Sequence, residues 1–308
     1  MASIDYTVQD AKGIQKVFNN ASILDVERYI NIPAFNIKRT NEFSENFTST
    51  EGLSGLKKTA ERGTPDVNSL GDGYLVSLEA ERYTNSIQVT TTDKVKMKDN
   101  SVEVRNFLTT QQNSVLIDAS YNFLSQMVGV LNNAFNTTYY AAPDALALCS
   151  AVHAWNSSTQ TFDNTTTAAF DETAVEQAQI DASNILSADA KEMGISYDTI
   201  IVRRGSANAN LATRLFASGI TPTEVNDVNI WKGQFTIVEL PLLTAAYWFM
   251  LDTSKGMKSP IYRGVQQPAS MQEPIREKNL SVTSAVEGFW STGINNMPFN
   301  FYGSPGTV

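Results

Sequence analysis

The strongest periodic signal in the chain is a run of apolar positions at Val104, Leu108, Val115, Ala119, Phe123, Met127, Leu131 and Ala134. Steps of three, four or seven put these residues on one side of an α-helix and predict one long helix over about 101–135. Asn100 can cap it, with Glu103 placed to complete a capping box. The stripe lapses at Gln111 and Gln112, and Gly129 is a point where the helix can break. At 1.5 Å per residue the helix is ~50 Å long, against a mean length of ~11–12 residues, so it reads as a spine.

Before it the period is two. Tyr74-Leu75-Val76-Ser77-Leu78-Glu79 alternates as a strand, and Tyr83, Ile87, Val89 and Thr91 continue extended chain through 83–98. Glycines at 52, 55, 63, 71 and 73, with Pro65, punctuate 46–82. That segment reads as a long two-stranded hairpin with a Gly-rich, basic outer part, reaching ~50 Å at ~3.3 Å per residue. A lone hairpin is marginal in water and needs a supporting surface. Residues 1–45 read as an arm: Ile23, Leu24, Val26, Tyr29 and Ile30 are apolar anchors with no core of their own, and Pro33 ends any helix.

After Pro143 the pattern changes again. An amphipathic helix is expected from Asp171 or Glu172 to Met193, with Val175, Ala178, Ala182, Ile185, Leu186 and Met193 on one face and Gly194 as its stop. Thr199-Ile200-Ile201-Val202-Arg203 reads as a buried strand, Ala207–Ala217 as a helix closed by Gly219, and Gln234–Leu240 as a strand. This order indicates an α/β unit over about 145–255. Extended structure returns in 260–308, where Phe289, Trp290, Phe299, Phe301 and Tyr302 make an aromatic end.

Composition narrows the chemistry. A length of 308 residues suits about two domains. One Cys and one His exclude an internal disulfide, a multi-Cys metal site and a two-His metal site within one chain. Charged residues are 18%, below the usual ~25%, and the net charge is −9. An acidic balance argues against a chain whose task is gripping phosphates. Asn, Ser and Thr fill the gap and make a weakly charged polar surface that loses little when buried against other copies. No apolar run is long enough to span a bilayer and no basic, apolar leader is visible. Six Asn-x-Ser/Thr sequons follow from the Asn/Thr-rich composition.

Three groupings could carry chemistry. Arg203-Arg204-Gly205-Ser206 places two cations and a hydroxyl at a helix start, as a phosphate cradle or simply as a helix cap with flanking charges. Cys149 and His153, four apart, could share a helical face as a thiolate–imidazole pair or a metal corner, with Asp144 the only acid nearby; packing residues are the alternative. Lys57, Lys58 and Arg62 are the densest basic group, suited to an acidic surface on a neighbouring subunit or to a solvated loop.

The order of elements (arm, Gly-rich hairpin, spine helix, α/β unit, β-rich return) resembles the major capsid protein of tailed bacteriophages, the α+β Hong Kong 97-type capsid fold, over nearly the whole chain. It is most similar to Mu-type major head subunits, where the segment after the spine reads Asp-Gly-x-x-Leu-Phe-x-x-x-His. Here Asp144, Leu148 and His153 match, while Ala145 and Cys149 depart. The resemblance implies an N-terminal arm (1–45), an extended loop laid over a neighbouring subunit (46–82), a peripheral domain with the spine (83–143), an axial domain (144–259) and a return to the peripheral domain (260–308). It implies a structural protein without enzymatic activity, cofactor or metal. Such a protein assembles into hexamers and pentamers of an icosahedral head that encloses double-stranded DNA without binding it specifically. Scaffolding, portal and decoration proteins would be partners, and no membrane is involved. Assembly would occur in the bacterial host cytoplasm and the product would be the virion. Ile23, Leu24, Tyr29, Lys57, Lys58, Arg62, Arg203 and Arg204 are the inter-subunit contact candidates. The same fold would serve an encapsulin-like nanocompartment, and the reading from another class is an α/β enzyme using Cys149 and His153.

Overall fold

A computed structural model describes residues 32–51, 71–90, 101–217, 231–273, 275–277 and 281–306. The element order is β1 (Asn36–Arg39), β2 (Ser44–Glu51), β3 (Gly71–Glu79), β4 (Glu81–Val89), α1 (Ser101–Asn132), β5 (His153–Ala154) and β6 (Thr161–Phe162). There follow α2 (Glu172–Ser183), β7 (Thr199–Arg203), α3 (Ala207–Ala217), β8 (Thr236–Leu240), β9 (Trp248–Leu251), β10 (Ile261–Met271), β11 (Ile275–Arg276), β12 (Val282–Ile294) and β13 (Phe301–Ser304).

The spine forms as the periodicity predicts. It runs through Gly129 without a break, and 133–135 leave the helix as a turn in which the Asn133 side chain donates to the Gly129 carbonyl at 2.8 Å. Phe123, Met127, Leu131 and Ala134 of the stripe are buried, joined by Leu124, Val128 and Val130. Each fully buried side chain of this size contributes ~1.5–3 kcal/mol. The expected cap, Asn100, lies outside the described residues.

Two sheets flank this helix. The long sheet has the order β1-β10-β12, with β4 on the far edge of β12 and β11 continuing beside β12. β10 and β12 pair antiparallel from Ile261↔Ile294 to Met271↔Val286, with register shifts around Gln267 that bend the ribbon. One face of this sheet, through Ile261, Val265 and Ile294, packs on the second half of α1. The opposite face carries the β2–β3 pair: Leu78 lies over Gly293, and Phe47 meets Tyr262 edge-on with centroids 4.7 Å apart. Gly73 is required at the irregularity in this pair, because a Cβ there would come within 2.3 Å of the Ser49 backbone oxygen.

The second sheet has the order β13-β9-β7-β8, with β7 and β8 parallel across α3. Alternation splits each strand between two cores. Ile201, Phe249, Leu251 and Phe301 face the core shared with α1; Ile200, Val202, Trp248, Met250 and Tyr302 face α2 and α3. Burial on both faces explains why Thr199–Val202 is an unbroken apolar and β-branched run.

Three expectations change. The helix predicted to reach Met193 ends at Ser183: the Asn184 N–H turns onto the carbonyls of the last turn, Ser183 Oγ donates to the Ile180 carbonyl, and a tight turn follows with Leu186 bridging to Glu192. Ser and Asn compete for backbone groups and stop the helix. Ile185 is then buried with Trp155, Phe162 and Met297, not on the α2 face. Cys149 and His153 do not share a helix; 139–152 is irregular and His153 begins β5. Lastly, 260–308 does not return as one unit: β10–β12 complete the long sheet, whereas β13 pairs antiparallel with β9 in the α/β sheet. Residues 1–31 of the arm and 52–70 of the hairpin lie outside the described residues, and with them Ile23, Leu24, Tyr29, Lys57, Lys58 and Arg62.

Candidate functional site

The stretch from Asp144 to His153 is the hinge between the spine and the α/β sheet, and it is built around one carboxylate. His153 Nδ1 donates to Asp144 Oδ2 at 2.7 Å, with both side chains almost wholly buried. The Leu146 and Ala154 N–H groups also donate to Asp144, at 3.3 and 3.4 Å. Burial pushes the Asp144 carboxyl up, but the hydrogen bond and charge of His153 and these two N–H groups outweigh it, and the net shift is downward. The imidazole stacks on Phe162 with centroids 5.1 Å apart, and its Nε2 has no hydrogen-bond partner among the described residues. Ala145 adopts φ +64°, at the position where the Mu-type pattern has Gly. A non-glycine residue there costs ~1–2 kcal/mol, held by the Ala145 N–H to Ala142 carbonyl bond of 2.8 Å.

Cys149 does not join this pair. Its N–H donates to the Ala134 carbonyl, and its sulfur packs flush against β13, where a Cβ on Gly303 would come within 2.7 Å of Sγ. Burial pushes the thiol well up, and the charge of Asp163 adds to that. A buried, protonated thiol is inert, so the cluster lacks the activated nucleophile that the enzyme reading requires. Asp163 is itself shifted up, by burial first and by Asp181 next, against one N–H bond from Thr165.

Arg203, the last residue of β7, and Arg204, in the turn that follows, are adjacent and both exposed. Ser206 caps α3, accepting from the Ala209 N–H at 3.2 Å and donating to the Arg203 carbonyl at 2.8 Å, while Gly205 supplies φ +69°. The motif therefore does the work of a helix cap, and its two cations face solvent.

Sequence reasoning missed a buried cation. Arg263 is 1% exposed and has no carboxylate partner among the described residues. Its guanidinium donates to the Phe123 carbonyl of α1 at 2.5 Å and to Gln126 Oε1 at 2.6 Å, and lies over the rings of Phe123 and Trp290 at 4.1 and 5.2 Å. Gln126 also accepts from Trp290 Nε1 at 2.6 Å, and Tyr83 stacks on Trp290. Burial pulls the Arg263 pKa down to about 9, against the favourable pull of Tyr83 and Tyr140. This cluster clamps the spine to the long sheet. The signal was in the strand pattern: Arg263 sits between Ile261 and Val265, on the face that alternation assigns to the core.

Comparison with solved structures places this architecture. A chain from Mycobacterium phage Patience superposes with a TM-score of 0.54 at 11% identity, covering 94% of this chain and 85% of the other. A chain from Mycobacterium phage Bobi gives 0.49 at 15% identity over 92% and 90%, and the virus-like particle from Pyrococcus furiosus gives 0.47 at 9% over 94% and 98%. No protein-family model matches the chain, and no curated protein matches its sequence. The likeness to the Patience chain shows the fold: mixed α and β, with few helices and several sheets.

Proposed function

We propose that the protein is the major shell subunit of a tailed-phage head, a structural protein without catalytic activity, resident in the virion. The observation that carries the reading is the fold: a ~48 Å spine clamped between two sheets, shared over 94% of the chain with a phage protein at a TM-score of 0.54. In this reading the subunit assembles as hexamers and pentamers around double-stranded DNA, in the host cytoplasm and with scaffolding, portal and decoration proteins. Residues 1–45 act as arm, 46–82 as the loop over a neighbour, 83–143 and the β10–β12 return as peripheral domain, and 144–259 as axial domain. Exposed Arg203 and Arg204 in the axial part are contact residues between copies. The finer part of the proposal, a Mu-type subunit, rests on the sequence match at Asp144, Leu148 and His153 alone. A net charge of −9 suits a wall that must not hold packed DNA.

Negative-stain microscopy of the purified protein, alone and with a co-expressed scaffold, tests this. Rings, shells or tubes are expected. Monomers under every condition would refute it, and closed shells carrying enzymes and no DNA would reassign it to the nanocompartment class.

A further inference from the structure

The pairing of β4 with β12 stops at Glu81↔Trp290. The Ala80 N–H then donates to the Phe43 carbonyl, and the chain before it belongs to β3, which pairs with β2 from Ser44↔Glu79. β12 runs on to Ile294 without β4 beside it. A cavity of about 520 Å³ opens at this fork, lined also by 139–141 of the chain after the spine. Val76, Leu78 and Ile294 are its apolar lining, Glu79 and Glu81 are its carboxylates, and no cationic side chain lines it. Glu81 is held in place: Tyr83, stacked on Trp290 with centroids 4.5 Å apart, donates its hydroxyl to Glu81 Oε2 at 2.5 Å. Neither carboxylate has an ion-pair partner among the described residues.

The complement of this cavity stands on the α/β layer. β8 ends at Leu240, and the loop to β9 turns through Leu242 at φ +67°. A left-handed leucine is strained and persists only where its surroundings impose it. Asn132, the last residue of α1, does so. Its side chain donates to the Leu242 carbonyl at 3.0 Å and accepts from the Thr244 N–H and hydroxyl at 2.8 and 3.0 Å. Asn208 of α3 holds the same loop, donating to the Ala246 carbonyl at 3.2 Å. The strain does not serve to bury Leu242, which stays 37% exposed while Leu243 is in the core. The Arg204 N–H bonds to the Leu240 carbonyl at 3.0 Å, and Arg203 is opposite Leu240 in the β7–β8 register. Both exposed arginines therefore stand at the base of this loop, and neither has an ion-pair partner among the described residues.

We infer that the cavity receives this loop from a second copy of the chain, with Leu242 entering against Val76, Leu78 and Ile294 while Arg203 and Arg204 reach Glu79 and Glu81. The two patches match in kind: an apolar knob with two unpaired cations, and an apolar cavity with two unpaired carboxylates. A guanidinium suits such a contact because its planar fork can give a carboxylate two donors. Knob and cavity lie on different parts of the subunit, so the contact is head-to-tail and can close into a ring. The inference rests on the shell reading above and gives Arg203 and Arg204 their receiving site.

Charge reversal in the full chain tests it. Arg203→Glu with Arg204→Glu should lower the yield of assembled particles roughly tenfold or more, measured by light scattering and negative-stain microscopy, and so should Glu79→Lys with Glu81→Lys. All four reversals in one chain should restore the yield, with thermal melts confirming that each variant is folded. A cysteine pair, Leu242→Cys with Ser77→Cys, gives a second readout, because the chain's own Cys149 is buried and Ser77 lines the cavity. Oxidation should then produce a ladder of disulfide-linked multimers on a denaturing gel, and either cysteine alone should stop at a dimer. Full yield from either pair of reversals, no restoration by all four in a folded chain, or no ladder from the cysteine pair would each overturn the inference, and the shell reading would stand if the parent still assembles. A parent that stays monomeric under every condition would overturn both.

Discussion

The α/β layer and the β2–β3 pair are opposite solutions to burying a strand. In the layer, β7 and β9 are covered on both faces and Ile200, Ile201, Trp248 and Phe249 are wholly buried. The β2–β3 pair is covered on one face only. Leu78 and Phe47 dock on the long sheet, while Leu75 on the other face is 70% exposed. The layer is covered on both faces by the described chain; the pair carries an apolar side chain, Leu75, that none of the described residues covers. The contrast is what a subunit needs if part of it must fold alone and part must meet neighbours.

The largest test of that contrast pairs two truncations. Trp248→Ala should cost ~3–5 kcal/mol in chemical denaturation, through lost burial and the cavity left. Leu75→Ala should change the stability of the isolated subunit by no more than about 0.5 kcal/mol. Equal losses from the two would erase the distinction. If the exposed face is an interface, Leu75→Ala should instead reduce the yield of assembled particles.

An intermediate effect is expected at the link between the spine and the α/β layer. Asp144→Asn removes a carboxylate that accepts from His153 and two N–H groups, at a cost of ~1.5–3 kcal/mol at pH 7. The folded-state pKa of Asp144 is lowered, so its contribution is present above the unfolded value of ~3.9 and is lost as pH falls through the folded value. Thermal melts should therefore separate the variant from the parent from pH 7 down to about 4, and converge below that. Asp163, raised by burial, works in the opposite direction over the same acid range. A gap that stays constant down to pH 2 would show that the carboxylate charge is not what holds the hinge.

The smallest effect sharpens the resemblance. Ala145→Gly relieves a left-handed residue and should stabilise the chain by ~0.5–1 kcal/mol, the strain removed being partly offset by greater freedom in the unfolded state. A loss of stability would mean the methyl group packs usefully.

Much of this was legible because the period of a segment follows from what covers it. The α1 stripe, the β7 run and the α3 span could be read to within a few residues, since each is extensively covered, α1 and α3 on one side and β7 on both. The failures share a cause. In 184–193 apolar residues kept helical spacing, but Ser183, Asn184 and Ser187 favoured turns, and Ile185 was wanted by another cluster. Cys149 and His153, four apart, looked like a helical pair; a carboxylate nine residues before His153 organised that loop instead. Arg263 was hidden because a guanidinium paired with a carbonyl, an amide and two rings leaves no acidic partner to notice.

The path of the chain through its two sheets has a kinetic consequence. Strands β1–β4 belong to the long sheet and its hairpin, β7–β9 to the α/β sheet, β10–β12 to the long sheet again, and β13 to the α/β sheet. Neither sheet is a contiguous stretch, and the β1–β10 and β4–β12 pairings each span roughly two hundred residues. Such non-local pairing makes folding slow and exposes unpaired edges while it proceeds. It also means that neither sheet can be cut out as a fragment, and that the two should melt in a single transition.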